Sequence, residues 1–124
     1  MTKTPWAHLP NAKHIDAVLA DARKRPGAWD AARDAARDAA WGAAWGAAQR
    51  AAWDAARDAA WGAAWGAAWR AAWGAIAALV TWDSSADLLE CTPDVLRAMI
   101  DLAEPPVCHQ AALLLPYAIV RMTK

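Results

Sequence analysis

The residues of this sequence that are best placed to do chemistry are tryptophans interleaved with arginines inside a repeat. From Trp29 to Ile76 the chain consists of twelve consecutive four-residue units, most of them WDAA, RDAA or WGAA. Indole faces stack on planar rings and guanidinium groups pair with phosphates, so such a repeat could hold a nucleotide-like ligand. The candidate ligand- or partner-binding residues are Trp41, Trp45, Trp53, Trp61, Trp65, Trp69, Trp73, Arg50, Arg57 and Arg70.

Packing is the competing use of the same indoles. A buried Trp contributes about 150–250 Å² of contact, whereas a row of Trp left in water makes an adhesive patch. Tryptophan at helical spacing more often forms core or subunit interface than a ligand site. Three uses of the Trp ridge therefore stay open: monomer core, contact between copies, or a ligand cleft.

Other chemistry has little support in the sequence. The histidines are scattered, and adjacent Cys108 and His109 would point about 100° apart on a helix, so no metal motif is present. No Ser, Cys or His lies in a nucleophile context, and no Gly-rich phosphate loop is found. Cys91 and Cys108 are too few for a disulfide framework. We predict a non-enzymatic protein with no catalytic residues, metal or cofactor.

Composition excludes several classes of function. The 124 residues carry 13 basic and 13 acidic side chains, so the formal net charge is zero. A neutral chain lacks the basic face of a nucleic-acid binder and the basic cluster that attracts anionic lipid. The most apolar window, Ala59 to Val80, contains Arg70 and consists mostly of alanine, which argues against a membrane span. We predict a cytoplasmic protein that binds neither nucleic acid nor membrane.

The elements that must position the repeat begin with a short helix from about Ala12 to Lys24. Asn11 is a good N-cap residue, because its side-chain oxygen can accept from amides of the first turn. The apolar residues that follow recur at i, i+3, i+4 and i+7: Ile15, Val18, Leu19 and Ala22. Pro26 and Gly27 should end this helix.

The repeat itself predicts one long helix. Alanine has the best intrinsic helix propensity, and no Pro, Asn or Ser interrupts the units. We expect a single helix from about Ala28 to Val80, about 80 Å long at about 1.5 Å per residue. Each glycine in it costs about 1 kcal/mol against Ala, so the glycines are expected to permit close approach of another helix. They are Gly42, Gly46, Gly62, Gly66 and Gly74.

The C-terminal part predicts two or three short helices. Thr92-Pro93-Asp94 is a strong helix start, with an apolar face following as far as Ala103. A last helix should run from about Val107, and Pro116 should kink or end it. The expected architecture is one all-α domain: an arm and helix at 1–27, the repeat helix at 28–80 and a helical cap at 81–124.

The four-residue period of the repeat predicts that the protein forms oligomers. Each unit advances the opening residue by about 40°, so the 20 residues between Trp41 and Trp61 correspond to about 200° of rotation. On a straight helix the Trp41/Trp45 and Trp61/Trp65 pairs would face nearly opposite sides, and one partner surface cannot cover both. We therefore expect a homo-oligomer, a dimer or higher, with one Trp cluster covered by a second copy.

The repeat is flanked by distinctive segments: Leu9 to Asp16, Leu79 to Ser85, Leu88-Leu89, Pro93 to Arg97 and Leu113 to Pro116. With these flanks, the chain resembles a group of uncharacterised alanine-rich proteins from bacteriophages and bacteria. In that group, tetrads of the AARDAAW type lie between an N-terminal and a C-terminal segment of this kind, and a related alanine-repeat group carries the label of immunity proteins. The resemblance covers nearly the whole chain and implies no catalytic residues.

Pattern and resemblance together predict a phage-type binding protein. Our leading hypothesis is that it assembles through the Trp/Ala repeat and blocks or decoys a host factor, such as a defence protein. One alternative is an oligomeric protein that sequesters a nucleotide-like ligand between Trp and Arg side chains. Another alternative is a structural or assembly component.

Overall fold

The computed structural model describes residues 6–37, 45–52 and 72–122, and these residues are helical apart from turns, with no strand among them. The all-α prediction is therefore confirmed for the part of the chain that is described. One helical segment, at 45–52, follows α2 and precedes α3 in the sequence. The other helices are α1 (Ala12–Lys24), α2 (Pro26–Arg37), α3 (Trp73–Thr81), a 3-10 helix (Asp83–Leu88), α4 (Pro93–Leu102) and α5 (Val107–Arg121).

The boundary between α1 and α2 confirms the predicted break. α1 ends at Lys24, and α2 begins at Pro26, slightly earlier than the predicted Ala28. Pro suits a first helical position because its missing N–H would have no intrahelical partner there. The buried face of α1 consists of the four predicted residues, Ile15, Val18, Leu19 and Ala22.

The prediction of one helix from Ala28 to Val80 is wrong. On a straight helix, the 28 residues from Trp45 to Trp73 would separate these side chains by about 42 Å. Their ring centroids instead lie 6.0 Å apart, so one straight helix cannot include both residues. In addition, Ala72 is a turn residue with φ −99° and ψ 8°, and α3 starts after it. Helix propensity is a local quantity, and here tertiary packing overrides it.

Gly74 shows why the repeat contains glycine. A Cβ atom at this position would overlap the Trp45 ring and would lie 2.9 Å from the carbonyl oxygen of Leu113 in α5. Close approach of other elements therefore requires glycine here, as the sequence predicted. Among the described residues, an added Cβ at Gly46 would meet the Arg50 guanidinium, at an ordinary 3.6 Å. Gly42, Gly62 and Gly66 lie outside the described residues.

Helix α5 forms the centre of the fold. It packs against α2, α3, α4 and the 3-10 helix, so most of its circumference is covered. Leu113, Leu114 and Leu115 are consecutive and all fully buried, which requires neighbours on several sides of one helix. The helix continues through the buried Pro116 to Arg121. Of the two predicted effects of Pro116, ending the helix is therefore wrong, and a kink stays a prediction.

Asn11 joins the start of α1 to the end of α3. It occupies the N-cap position of α1, but its side chain makes no cap bond there. Its amide Nδ2 instead donates to the carbonyl oxygens of Leu79 at 3.0 Å, Trp82 at 3.3 Å and Asp83 at 3.1 Å. The last carbonyls of a helix have no intrahelical donor, so buried Asn11 satisfies the C-terminal end of α3 rather than its own helix.

Candidate functional site

The predicted Trp/Arg site is only partly within the described structure. Trp45 and Trp73 are both partly buried and pack edge to face, with ring planes at 68°. Arg50 is exposed on the helical segment 45–52. The other predicted members lie outside the described residues: Trp41, Trp53, Trp61, Trp65, Trp69, Arg57 and Arg70.

The geometry of the Trp45–Trp73 pair suits packing. A ring held between two indoles needs two nearly parallel faces with a gap between them, as in base stacking on aromatic side chains. These two indoles contact each other directly at a steep angle, and Trp45 also covers Gly74. This pair therefore belongs to the packing of the repeat against α3, and the nucleotide hypothesis depends on the residues outside the described ranges.

A second aromatic group, absent from the predicted site, connects α1, α2 and α5. The buried Trp29 stacks on Tyr117 with centroids 5.9 Å apart, and its indole Nε1 donates to Asp21 Oδ2 at 2.9 Å. Arg25 also donates to both carboxylate oxygens of Asp21. The guanidinium of Arg121 lies 5.9 Å from the centre of the Tyr117 ring. The i, i+4 spacing of Asp21 and Arg25 was the only sequence signal for this network.

The environment of Tyr117 favours its neutral form. Burial raises the pKa of the phenol above its ordinary value of 10.0, and the positive charge of Arg121 opposes that rise. Arg121 is itself engaged, since it donates to the Leu89 carbonyl at 2.6 Å and to Glu90 at 3.0 Å. The Tyr117 phenol is thus protonated at neutral pH, and the network ties α5 to the turn before α4.

Among the large apolar residues of the described structure, the one with the highest exposed fraction lies on α4. Leu102 is 85% exposed, and Val95 on the same side of the helix is 43% exposed. Together with the partly buried Met99 they recur at i, i+4 and i+7, which places them in one row along the helix. We call these three residues the α4 stripe.

Helix α4 is held in place by its cap and by a neighbouring face. The Thr92 hydroxyl accepts from the Val95 amide at 3.3 Å, and Pro93 occupies the first turn. Leu96 is the buried residue of α4, and α4 packs against α5. The α4 stripe therefore projects from a helix that is anchored on its other side.

The sequence also contains a signal for the α4 stripe, in the width of the apolar face of α4. Apolar residues of α4 extend over about 160° of its circumference at about 100° per residue. One packed neighbour typically covers a stripe only somewhat more than about 100° wide. The excess width indicates a second contact surface in addition to the one against α5. The residues are Val95, Leu96, Met99, Ile100, Leu102 and Ala103.

Acidic residues border the α4 stripe. Asp94 and Asp101 are exposed and each directly precedes a stripe residue, so they form a parallel row rotated by about 100°. Asp94 contacts Arg97 at 3.3 Å, but its side chain remains 94% exposed, and such pairs contribute little. From Asp83 to Glu104 the chain carries six acidic residues and one basic residue, so this segment has a net negative charge.

Reactive side chains elsewhere in the described structure are dispersed. Cys91 and Cys108 are free, partly buried thiols, and the His109 ring lies 6.5 Å from Trp82 at a tilted angle. Within residues 6–37, 45–52 and 72–122, no group of three or more His, Cys, Asp or Glu is arranged to hold a metal ion. No described helix is long and apolar enough to cross a membrane.

The arrangement of the α4 surface, with an apolar row beside an acidic row, is suited to binding another molecule.

The comparisons with known proteins add no relative from which a role could be transferred. No family model matches this chain, and no match was found among curated proteins or among solved structures.

Proposed function

We propose that this protein is a non-enzymatic binding protein that acts by covering the surface of another protein through α4. The single observation that carries this proposal is the exposure of Leu102 and Val95 in one row on an anchored helix. Exposed apolar patches rimmed by polar residues mark interaction sites in soluble proteins. Docking would remove this apolar area from water, which contributes about 25 cal/mol per Å² before the costs of association.

Blocking or decoying a host factor is the biological role we propose for this binding. The sequence resemblance to alanine-rich phage and bacterial proteins supports this role, and the cytoplasm of a bacterial host is the location that we propose for it. A small chain that carries an adhesive surface can inhibit another protein simply by occupying it. This role requires binding but no chemical reaction.

The experiment for this proposal compares variants of one exposed position. The wild-type chain should retain a bacterial protein in affinity capture from a host lysate, and Leu102→Asp should lose it. Met122→Asp is the matched control, because Met122 is also an exposed apolar residue, at 67%, but lies outside α4. Identical retained proteins for wild type and Leu102→Asp, or none with the wild type, would contradict the proposal.

Assembly through the repeat is a separate part of the proposed function. The described Trp45–Trp73 pair is an intrachain contact, so it removes one reason for expecting a second copy. The predicted oligomer then depends on the tryptophans outside the described ranges. Light scattering at micromolar concentration should give a multiple of 13.3 kDa, and a particle of 13.3 kDa would contradict this part alone.

A further inference from the structure

We propose that the α4 stripe binds an amphipathic helix of a different protein, and that this helix carries Lys or Arg along one edge of its apolar face. The inference rests on the proposed function and deepens it by specifying the chemistry of the partner. It combines three observations: the row of exposed apolar side chains, the helical backbone beneath them, and the acidic row beside them.

The backbone of α4 selects a helix as the partner element. Binding of an extended peptide by strand addition needs unpaired backbone groups at a sheet edge, and α4 offers none because its amides bond within the helix. Its surface offers side chains at i, i+4 and i+7 instead, over about 10 Å at about 1.5 Å per residue. Rows of this spacing pack into the grooves of another helix.

The acidic row beside the α4 stripe determines which edge of the partner helix should carry the basic residues. One long edge of the α4 stripe faces the core through Leu96, and the other is bordered by Asp94 and Asp101. A helix that covers the stripe would place one of its own edges beside these two carboxylates. Opposite charge there steers association and fixes the orientation, whereas like charge costs free energy.

The same acids disfavour a second copy on this surface. A two-fold dimer uses the same patch on both molecules, so α4 would meet another α4. In an antiparallel pair, Asp94 and Asp101 of one copy would then lie beside the same acids of the other copy, with Arg97 as the only basic residue of the helix. In a parallel pair, the acids would lie beside the edge of the other stripe that faces its own core through Leu96. Anionic lipid and nucleic acid are repelled by the same acids.

The test uses two synthetic peptides with the same leucine face. Each is a helix of about 18 residues, long enough for stable helical turns, and the peptides differ only in Lys or Glu along both edges of the face. Binding to the full-length protein is measured by fluorescence anisotropy at low and high salt. The Lys peptide should bind at least about tenfold more tightly than the Glu peptide, and added salt should reduce the difference.

Variants separate the apolar and the electrostatic contributions. Leu102→Ser should weaken binding of the Lys peptide by about tenfold or more, and Met122→Ser should leave it unchanged, because only Leu102 is part of the stripe. The double variant Asp94→Lys/Asp101→Lys should reverse the preference, so that the Glu peptide binds more tightly. Circular dichroism on each variant confirms that the helical content is retained.

The outcomes distinguish this inference from the proposed function. Equal affinity for both peptides, an unchanged preference in the double Lys variant, or self-association through α4 would overturn the inference. Binding to anionic vesicles in place of the Lys peptide would also overturn it. If capture of a host protein depends on Leu102 but not on the two acids, the proposed function stands and the basic helical partner is wrong.

Discussion

Helices α4 and α5 are neighbours with similarly apolar sequences, yet the structure uses their side chains in opposite ways. In α5, Leu113, Leu114 and Leu115 are all fully buried, because other helices surround it. In α4, Leu96 is buried whereas Leu102 is 85% exposed. Apolar side chains on α5 therefore stabilise the fold, and those on the outer side of α4 are available to a partner. Apolar content alone does not distinguish core from interface; the number of packed neighbours does.

The most severe test of this contrast is removal of a buried α5 leucine. Leu114→Ala should reduce the free energy of unfolding by about 2–5 kcal/mol, because it deletes buried methyl groups and leaves a cavity in the centre of the fold. Chemical denaturation followed by circular dichroism gives the value. The contrast fails if this change costs no more than Leu102→Ala.

Gly74 tests how closely α3 packs against Trp45 and α5. Gly74→Ala should destabilise by about 1–3 kcal/mol, because the new Cβ would overlap Trp45 and crowd the Leu113 carbonyl. Gly46→Ala is the matched control in the same slot of a repeat unit, where space is sufficient. It should stabilise by about 0.5–1 kcal/mol, as a helical Gly replaced by Ala normally does. Equal effects at both positions would show that the close approach at Gly74 is absent.

Asn11 provides a contact remote from α4 against which the α4 effects can be judged. Asn11→Ala should cost about 1–2 kcal/mol, because the Leu79 carbonyl of α3 and the Trp82 and Asp83 carbonyls that follow α3 lose this donor. Asn11→Asp separates this role from helix capping, since Asp is as good an N-cap as Asn but cannot donate. Thermal or chemical denaturation should therefore show Asn11→Asp to be at least as unstable as Asn11→Ala. Full stability of Asn11→Asp would assign the residue to the cap of α1.

The smallest effect on stability should come from the outer side of α4. Leu102→Ala should change the free energy of unfolding by no more than about 0.5 kcal/mol, because the side chain is already in water. The same denaturation measurement serves as for Leu114→Ala. A loss comparable to a core substitution would mean that Leu102 is buried in solution, and the α4 stripe would then be part of the core.

Local signals in the sequence predicted individual helices well. The apolar period of α1 predicted its buried residues, and Thr92-Pro93 predicted the start of α4, because both depend on neighbours a few residues away. The glycine rule was confirmed at Gly74 but not at Gly46, although both occupy equivalent slots. What differs between them is the distant chain that packs there, and a repeat contains no information on that difference.

Longer-range features could not be read from the residues. Alanine propensity predicted one straight helix, whereas the contact between Trp45 and Trp73 excludes a straight helix that includes both residues. Asn11 was predicted to serve its own helix, and its three acceptors lie about seventy residues away. For the candidate site, the width of the apolar face of α4 was visible, but which part of it would remain exposed depended on where α5 packs.

The central position of α5 also has a consequence for the order in which the chain can fold. Ribosomes release a chain from its N-terminus at about 5–20 residues per second, and α5 follows all the helices that it holds together. Trp29 in α2 stacks on Tyr117, so this contact cannot form until Tyr117 has been synthesised. The packing of the earlier helices around α5 becomes complete only after Arg121 has left the ribosome, and until then their apolar faces are accessible to chaperones.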